Sequence, residues 1–208
     1  MKLKWLGHAC FSLTTNSGTV IVMDPFDASV GYPVPNCVAD IVTESHQHHD
    51  HNDVSSLSAV GQVLNSPCDV TVGGVHISTL STFHDGEQGA KRGTNLIFLI
   101  EADGKKIVHC GDLGHMPGEE QLAAMRGADV LLVPVGGFYT IDAEMAEAVR
   151  KAVGPKLTVP MHFLTPVMNF PIADEKPFLA LNGGGYAGTN EIELNGEHSG
   201  VLVLNWQA

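Results

Sequence analysis

Short apolar runs set off by turn residues open the chain. Leu3 to Leu6, Phe11 to Thr15 and Val20 to Met23 read as strands, with Asn16-Ser-Gly18 as one of the turns between them. From Asp24 to Asn36 the sequence is broken by Pro and Gly and reads as a surface loop. Ala39 to Thr43 is a short apolar run that ends in a histidine cluster. Val70 to Val72 and Val75 to Leu80 read as a hairpin about Gly73-Gly74, and Asn95 to Glu101 with Lys106 to Cys110 as a second one turning at Ala102-Asp-Gly104.

Helical periodicity is confined to Glu119–Met125 and Ala143–Val153. Asp142 is placed to cap the second helix, and Gly154-Pro155 to stop it. Between them Asp129 to Val133 is apolar after its first residue, as expected of a strand buried on both faces. Leu157 to Pro160 is another short strand, a long irregular Pro/Gly/Asn-rich region follows, and Gly200 to Trp206 supplies a final strand. No repeat or linker interrupts the pattern. It predicts one α+β domain over residues 1–208, with two packed sheets and helices outside.

Composition narrows the function. At 44% hydrophobic and 16% charged residues the chain is globular. Its 11 Lys+Arg against 23 Asp+Glu give a formal charge of −12, which disfavours nucleic acid and anionic membranes as partners. A small-molecule substrate is the expected partner, and a homo-oligomer is left open. The opening residues do not read as a signal peptide, and no run reaches the roughly 20 apolar residues of a membrane span. The four cysteines are scattered without a C-x-x-C pair. Reduced thiols in a cytoplasmic protein are therefore expected.

The 11 histidines change the picture. His46-Gln-His48-His-Asp50-His51 has the form H-x-H-x-D-H and follows a strand. In continued extended backbone His46 and His48 point to one side and can chelate one ion, while a turn can aim Asp50 and His51 at a neighbouring ion. Imidazole and carboxylate suit Zn²⁺, and also Mn²⁺ or Fe²⁺. The absence of cysteine from the set favours an open catalytic site over a closed structural one. Further candidates stand where strands end: His84, Asp112 after Gly111, and His162. No nucleotide-binding glycine loop and no G-x-S-x-G elbow is present, and Cys110 reads as a buried hydrophobe.

In this order the cluster, the later His, the Asp after Gly and the final His resemble the motif series of the metallo-β-lactamase superfamily. Trp5-Leu-Gly-His8-Ala-Cys-Phe11, His109-Cys-Gly-Asp-Leu-Gly-His115, Pro134-Val-Gly-Gly-Phe-Tyr-Thr140 and Pro160-Met-His-Phe163 are similar to its branch of small metal-dependent hydrolases, and to the ascorbate-6-phosphate lactonase group. The resemblance implies a four-layer αββα sandwich with two metal ions at one edge. His46, His48 and His84 would hold the first ion, Asp50, His51 and His162 the second, and Asp112 would bridge them. His76, inside a strand, is the less suitable rival of His84. Asp24 would orient a ligand without touching metal. Asp50, Asp112 and His8 are the expected catalytic residues, with His8 facing the metals as a proton or hydrogen-bond donor.

Five neutral imidazoles and two carboxylates would leave two divalent ions and a bridging hydroxide cationic, which favours an anionic substrate. His115 stands between a supporting and a surface role, and Gly136-Gly137 between amides for a ligand anion and a tight turn. His109 reads as a core or supporting histidine, His49 as pointing away, and His198 as solvated. The function expected is hydrolysis of a small ester, lactone, amide or phosphoester. An iron-dependent oxidoreductase on the same fold and an inactive metal-binding module are the alternatives.

Overall fold

The computed structural model describes residues 1–206. In chain order the strands are β1 (Lys2–Gly7), β2 (Cys10–Thr14), β3 (Val20–Met23), β4 (Val38–Thr43), β5 (Ala59–Leu64), β6 (Asp69–Val72), β7 (Val75–Phe83), β8 (Thr94–Ala102), β9 (Lys105–His109), β10 (Val130–Pro134), β11 (Leu157–Met161), β12 (Gly185–Tyr186), β13 (Glu191–Glu193) and β14 (Gly200–Val203). The helices are α1 (Glu119–Met125), α2 (Ala143–Val153) and α3 (Lys176–Asn182). A six-stranded sheet, β13-β1-β2-β3-β4-β5, packs on an eight-stranded one, β12-β14-β11-β10-β9-β8-β7-β6. The result is an α+β sandwich of two sheets.

Strand alternation builds the layers. In the six-stranded sheet Leu3, Phe11, Leu13, Ile21, Met23 and Ile41 are buried against Ile77, Phe98, Ile100 and Ile107 of the other sheet. The intervening Cys10, Val22 and Val42 face outward, where Phe26, Val30, Tyr32, Leu57, Met168 and Ile172 cover them. That outer cover consists of irregular chain and the short 3₁₀ turns Ala28–Val30 and Val54–Ser56. The three α-helices pack with one another on the side of the eight-stranded sheet, α2 touching β10. α2 begins and ends as its sequence dictates: Asp142 accepts a hydrogen bond from the Met145 amide at 2.9 Å, and Gly154 closes the helix at φ 65°.

Several elements differ from expectation. β5, α3, β12 and β13 lie in stretches that carry no clear period, and β7 runs on to Phe83, three residues past the expected end. No helix among the described residues is long and apolar enough to cross a membrane.

Topology sets where the site must be. β1 and β2, and β2 and β3, are antiparallel, and β3 pairs parallel with β4, so β1, β3 and β4 all run the same way. By the same reasoning β7, β9, β10 and β11 run together in the second sheet. Their C-terminal ends deliver His8, Asp24, residues 44–51, His84, Asp112 and His162, one after another, to one edge of the sandwich.

Candidate metal centre

Two groups of donors meet at that edge. His46, His48 and His84 place one donor atom each within 4.8 Å of one another, and so do His8, Asp50, His51 and His162. Asp112 joins the groups. Its Oδ2 lies 3.1 Å from His84 Nε2, 3.2 Å from His162 Nε2 and 3.9 Å from His46 Nε2, while its Oδ1 lies 3.3 Å from His51 Nε2. Tetrahedral ligands on bonds of about 2.0–2.1 Å stand about 3.3 Å apart, so these separations fit donors sharing a cation. His46 Nε2, His51 Nε2 and Asp112 Oδ1 are buried without a hydrogen-bond partner, which buried polar atoms seldom are. The donor set and its orphaned atoms fit divalent ions.

Electrostatics point the same way. Burial, then the neighbouring His51, lowers the pKa of His46 to about 3, leaving a neutral imidazole available to a metal. Burial opposes charge on His51, but Asp112 and Asp50 beside it raise its pKa well above the ordinary value. Burial likewise would raise Asp112, yet His162 and His51 hold it well below the usual carboxylate range.

Behind the donors is a network that fixes their rings. Asp24 accepts from the Ser45 amide at 2.7 Å and the Ser45 hydroxyl at 2.6 Å, and its Oδ2 lies 2.8 Å from His51 Nδ1. A carboxylate behind a ligating imidazole sets its tautomer and raises its basicity, which is the role expected of Asp24. Asn95 accepts from the Asp112 amide and donates to the Cys110 carbonyl, both at 2.9 Å. Asp24, His8 and His162 adopt φ of 48°, 54° and 50°, a left-handed region costing roughly 1–3 kcal/mol for such residues. The His162 amide donates to the His8 carbonyl at 3.2 Å, tying two of these strained residues together. Gly111, at φ 54°, is required because a Cβ there would stand 2.4 Å from Asn95 Oδ1 and from Ser45 Cβ.

Residues 2–162 match the family described as "Beta-lactamase superfamily domain". The structure is similar to a crystal structure of a candidate Zn-dependent hydrolase of the metallo-β-lactamase superfamily from Thermotoga maritima. The TM-score is 0.82 and the identity 39%, over 98% of this chain and 97% of that one. The chain belongs to the metallo-β-lactamase superfamily. Within that superfamily it is 32% identical to the UPF0173 metal-dependent hydrolase of Thermoplasma acidophilum, covering 93% of this chain and 96% of that protein. A UPF0173 metal-dependent hydrolase of Methanoculleus marisnigri is 33% identical over 79% of this chain and 82% of its own length. The small metal-dependent hydrolase branch read from the motifs is thus the one its relatives occupy.

For a superfamily member, the fate of each expected residue is informative. His46, His48, His84, Asp50, His51, Asp112 and His162 converge, and His49 points away toward Ser29 and Asp27. His76 is exposed between Asp69 and Glu101 on the far part of β7, so His84 is the one of the two that reaches the cluster. His109 is a supporting residue: its Nε2 donates to the Ala9 carbonyl at 2.8 Å, and its Nδ1 accepts from the Gly111 amide at 3.2 Å. Cys110 is buried in the apolar core, where burial raises its thiol pKa.

The geometry places three further candidates. His8 does not line the cavity in front of the cluster. Its Nε2 lies 3.2 Å from Asp50 Oδ2, and burial, then His162, lowers its pKa to about 4, so the neutral ring serves Asp50. His115 spends its ring on backbone, accepting from the Phe83 amide and donating to the Met116 carbonyl. Gly136 and Gly137 offer no amides to a ligand: they donate to the His162 and Ile141 carbonyls, and a Cβ on Gly136 would stand 2.3 Å from the His162 carbonyl oxygen. The tight-turn reading holds for both.

A cavity of about 350 Å³ opens in front of the cluster, lined by His48, His49, Asp50, His84, Arg92, Asp112, Tyr139, His162 and Phe170. Arg92, Tyr139 and Phe170 escaped sequence reasoning, as did Ser45 and Asn95, because only the fold brings them to the donors.

Proposed function

We propose that this chain is a hydrolase with a dinuclear metal centre, zinc foremost, that cleaves a small ester, lactone, amide or phosphoester. The observation that carries the reading is the position of Asp112, whose two oxygens reach His84 and His162 on one side and His51 on the other at 3.1–3.3 Å. Two divalent ions held there supply a water or hydroxide of lowered pKa and a positive field for an oxyanion.

The chain's own residues do the rest. His46, His48 and His84 offer neutral nitrogen donors to the first ion. Asp50, His51 and His162 offer the second a more acidic set, with Asp112 shared. Asp24 holds the His51 ring through Nδ1, so that Nε2 faces the centre. His8 donates to Asp50 and fixes that carboxylate, a positioning role. Tyr139 and Phe170 give the cavity an aromatic wall that holds a small substrate and keeps out bulk water.

The test is a panel of small esters, lactones, amides and phosphoesters run with Zn²⁺, Mn²⁺ or Fe²⁺, with Asp112→Ala as control and oxygen consumption followed in parallel. Metal-dependent turnover that Asp112→Ala abolishes is expected. Oxygen uptake without hydrolysis, or hydrolysis retained by Asp112→Ala, would overturn the reading.

A further inference from the structure

The chain has three arginines. Arg126 pairs with Glu119 and Arg150 with Glu147, as suits a protein with 23 acidic residues. Arg92 is different. Among the described residues its guanidinium forms no ion pair or hydrogen bond, although it is only half-exposed and is the sole Lys or Arg lining the cavity in front of the metal cluster. A partly desolvated guanidinium without a partner is unfavourable unless something else supplies the acceptor.

The loop around Arg92 is built to hold it there. Asp85, the residue after His84, accepts four backbone hydrogen bonds, from Glu87 at 2.7 Å, Gly89 and Lys91 at 2.9 Å, and Arg92 itself at 2.8 Å. The tether therefore joins a candidate metal ligand directly to the arginine. Beneath the side chain lies the Tyr139 ring, 5.5 Å from the guanidinium carbon, and Phe138 and Phe170 pack against that ring in turn. Stacking on an aromatic face orients the guanidinium plane while leaving its N–H donors free.

We infer that Arg92, stacked on Tyr139, is the specificity-determining residue of the cavity, binding an oxyanion group of the substrate, carboxylate or phosphate, at a distance from the bond that is cleaved. The inference rests on the hydrolase reading for its substrate, but not for the anion subsite itself. The planar fork of arginine matches two oxygens at once, which lysine does not. A substrate carrying such a group is oriented with one end at Arg92 and the scissile carbonyl or phosphoryl at the metals.

Two measurements on the metal-loaded full-length protein test this. Calorimetric titration with glutarate and, separately, with inorganic phosphate compares the wild type with Arg92→Met and Arg92→Lys, after the metal content of all three is shown to be equal. Arg92→Met should weaken one or both anions about tenfold or more, the loss of a charge-assisted contact, and Arg92→Lys by less. Whichever anion is affected names the group. Equal binding of both anions by wild type and Arg92→Met overturns the inference.

The second measurement compares mono(4-nitrophenyl) glutarate with its neutral methyl ester. The ratio of kcat/KM for the anionic ester to that for the neutral ester should fall about tenfold or more in Arg92→Met. An unchanged preference overturns the inference and leaves the hydrolase reading standing. Arg92-dependent anion binding in a protein that hydrolyses neither these esters nor the wider panel would instead sink the hydrolase reading and keep the subsite.

Discussion

At one edge of the sandwich Asp24, Asp50 and Asp112 face a ring of histidines; at the other, Asp129 faces lysines. Asp129 accepts from the Lys106 amide at 2.8 Å and from Lys156 Nζ at 2.7 Å, while Lys106 Nζ donates to the carbonyls of Ala124 and Arg126. The polar groups there complete one another, as structural groups do. At the histidine edge His46 Nε2, His51 Nε2 and Asp112 Oδ1 are buried with no partner, and three non-glycine residues hold positive φ. Six of the eight buried atoms without a partner among the described residues belong to His8, His46, His51, His84, Asp112 and His162, and that gathering marks the end that is built to hold something else.

Substitutions should divide along that line. Asp112→Ala is expected to lose metal from both donor groups and to lower kcat/KM by roughly a thousandfold, several kcal/mol of transition-state stabilisation. Kinetics with metal analysis checks it, and a variant that keeps its metal and activity would erase the contrast between the edges. Asp24→Asn, which leaves every metal ligand in place but changes what His51 Nδ1 meets, should weaken metal binding by about 10–100-fold. Competition with a chelator reads that shift, and an unchanged affinity would reduce Asp24 to a structural residue.

What the sequence disclosed follows the same division. The seven donors were legible because each stands just past a strand whose apolar run is strong, so chain order and chemistry together located them. His115 and Gly136-Gly137 were harder to place. Nearness in sequence to Asp112, or to a buried strand, does not tell which way a ring or an amide turns. β5 escaped because, as an edge strand, it exposes its first four residues and leaves no buried face to pattern, with Gly61 present where a Cβ would stand 2.2 Å from the Asp40 carbonyl oxygen. α3 buries only Phe178 and so carries no amphipathic period. Arg92 was invisible for another reason: its significance lies in what it fails to pair with.

Smaller effects sharpen the comparison. Gly111→Ala should cost about 1–3 kcal/mol in stability, since the added methyl group meets Asn95 and Ser45 at a positive φ. Because Gly111 precedes Asp112, the metal content should fall with it. A thermal unfolding midpoint equal to wild type would contradict the close packing described.

Asp129→Asn should leave metal binding untouched and cost about 1 kcal/mol at neutral pH, since the Lys156 end of the pair is exposed to solvent. Burial would raise the Asp129 pKa, but the hydrogen bond from Lys156 and the Lys106 amide lower it on balance. A carboxylate depressed in the folded state contributes stability above its unfolded value of about 3.9 and loses it as pH falls through the folded value. The gap between wild type and Asp129→Asn should therefore be full at pH 7 and close below about pH 4. Denaturant unfolding across that range would show it, and a gap that widens in acid would reverse the sign argued here.

The most direct test of the dinuclear reading is a metal count on purified, zinc-loaded protein, paired with anomalous diffraction to place each ion. Two ions per chain are expected, one against His46, His48 and His84 and one against Asp50, His51 and His162, with Asp112 between them. A single ion, or ions bound away from Asp112, would contradict it.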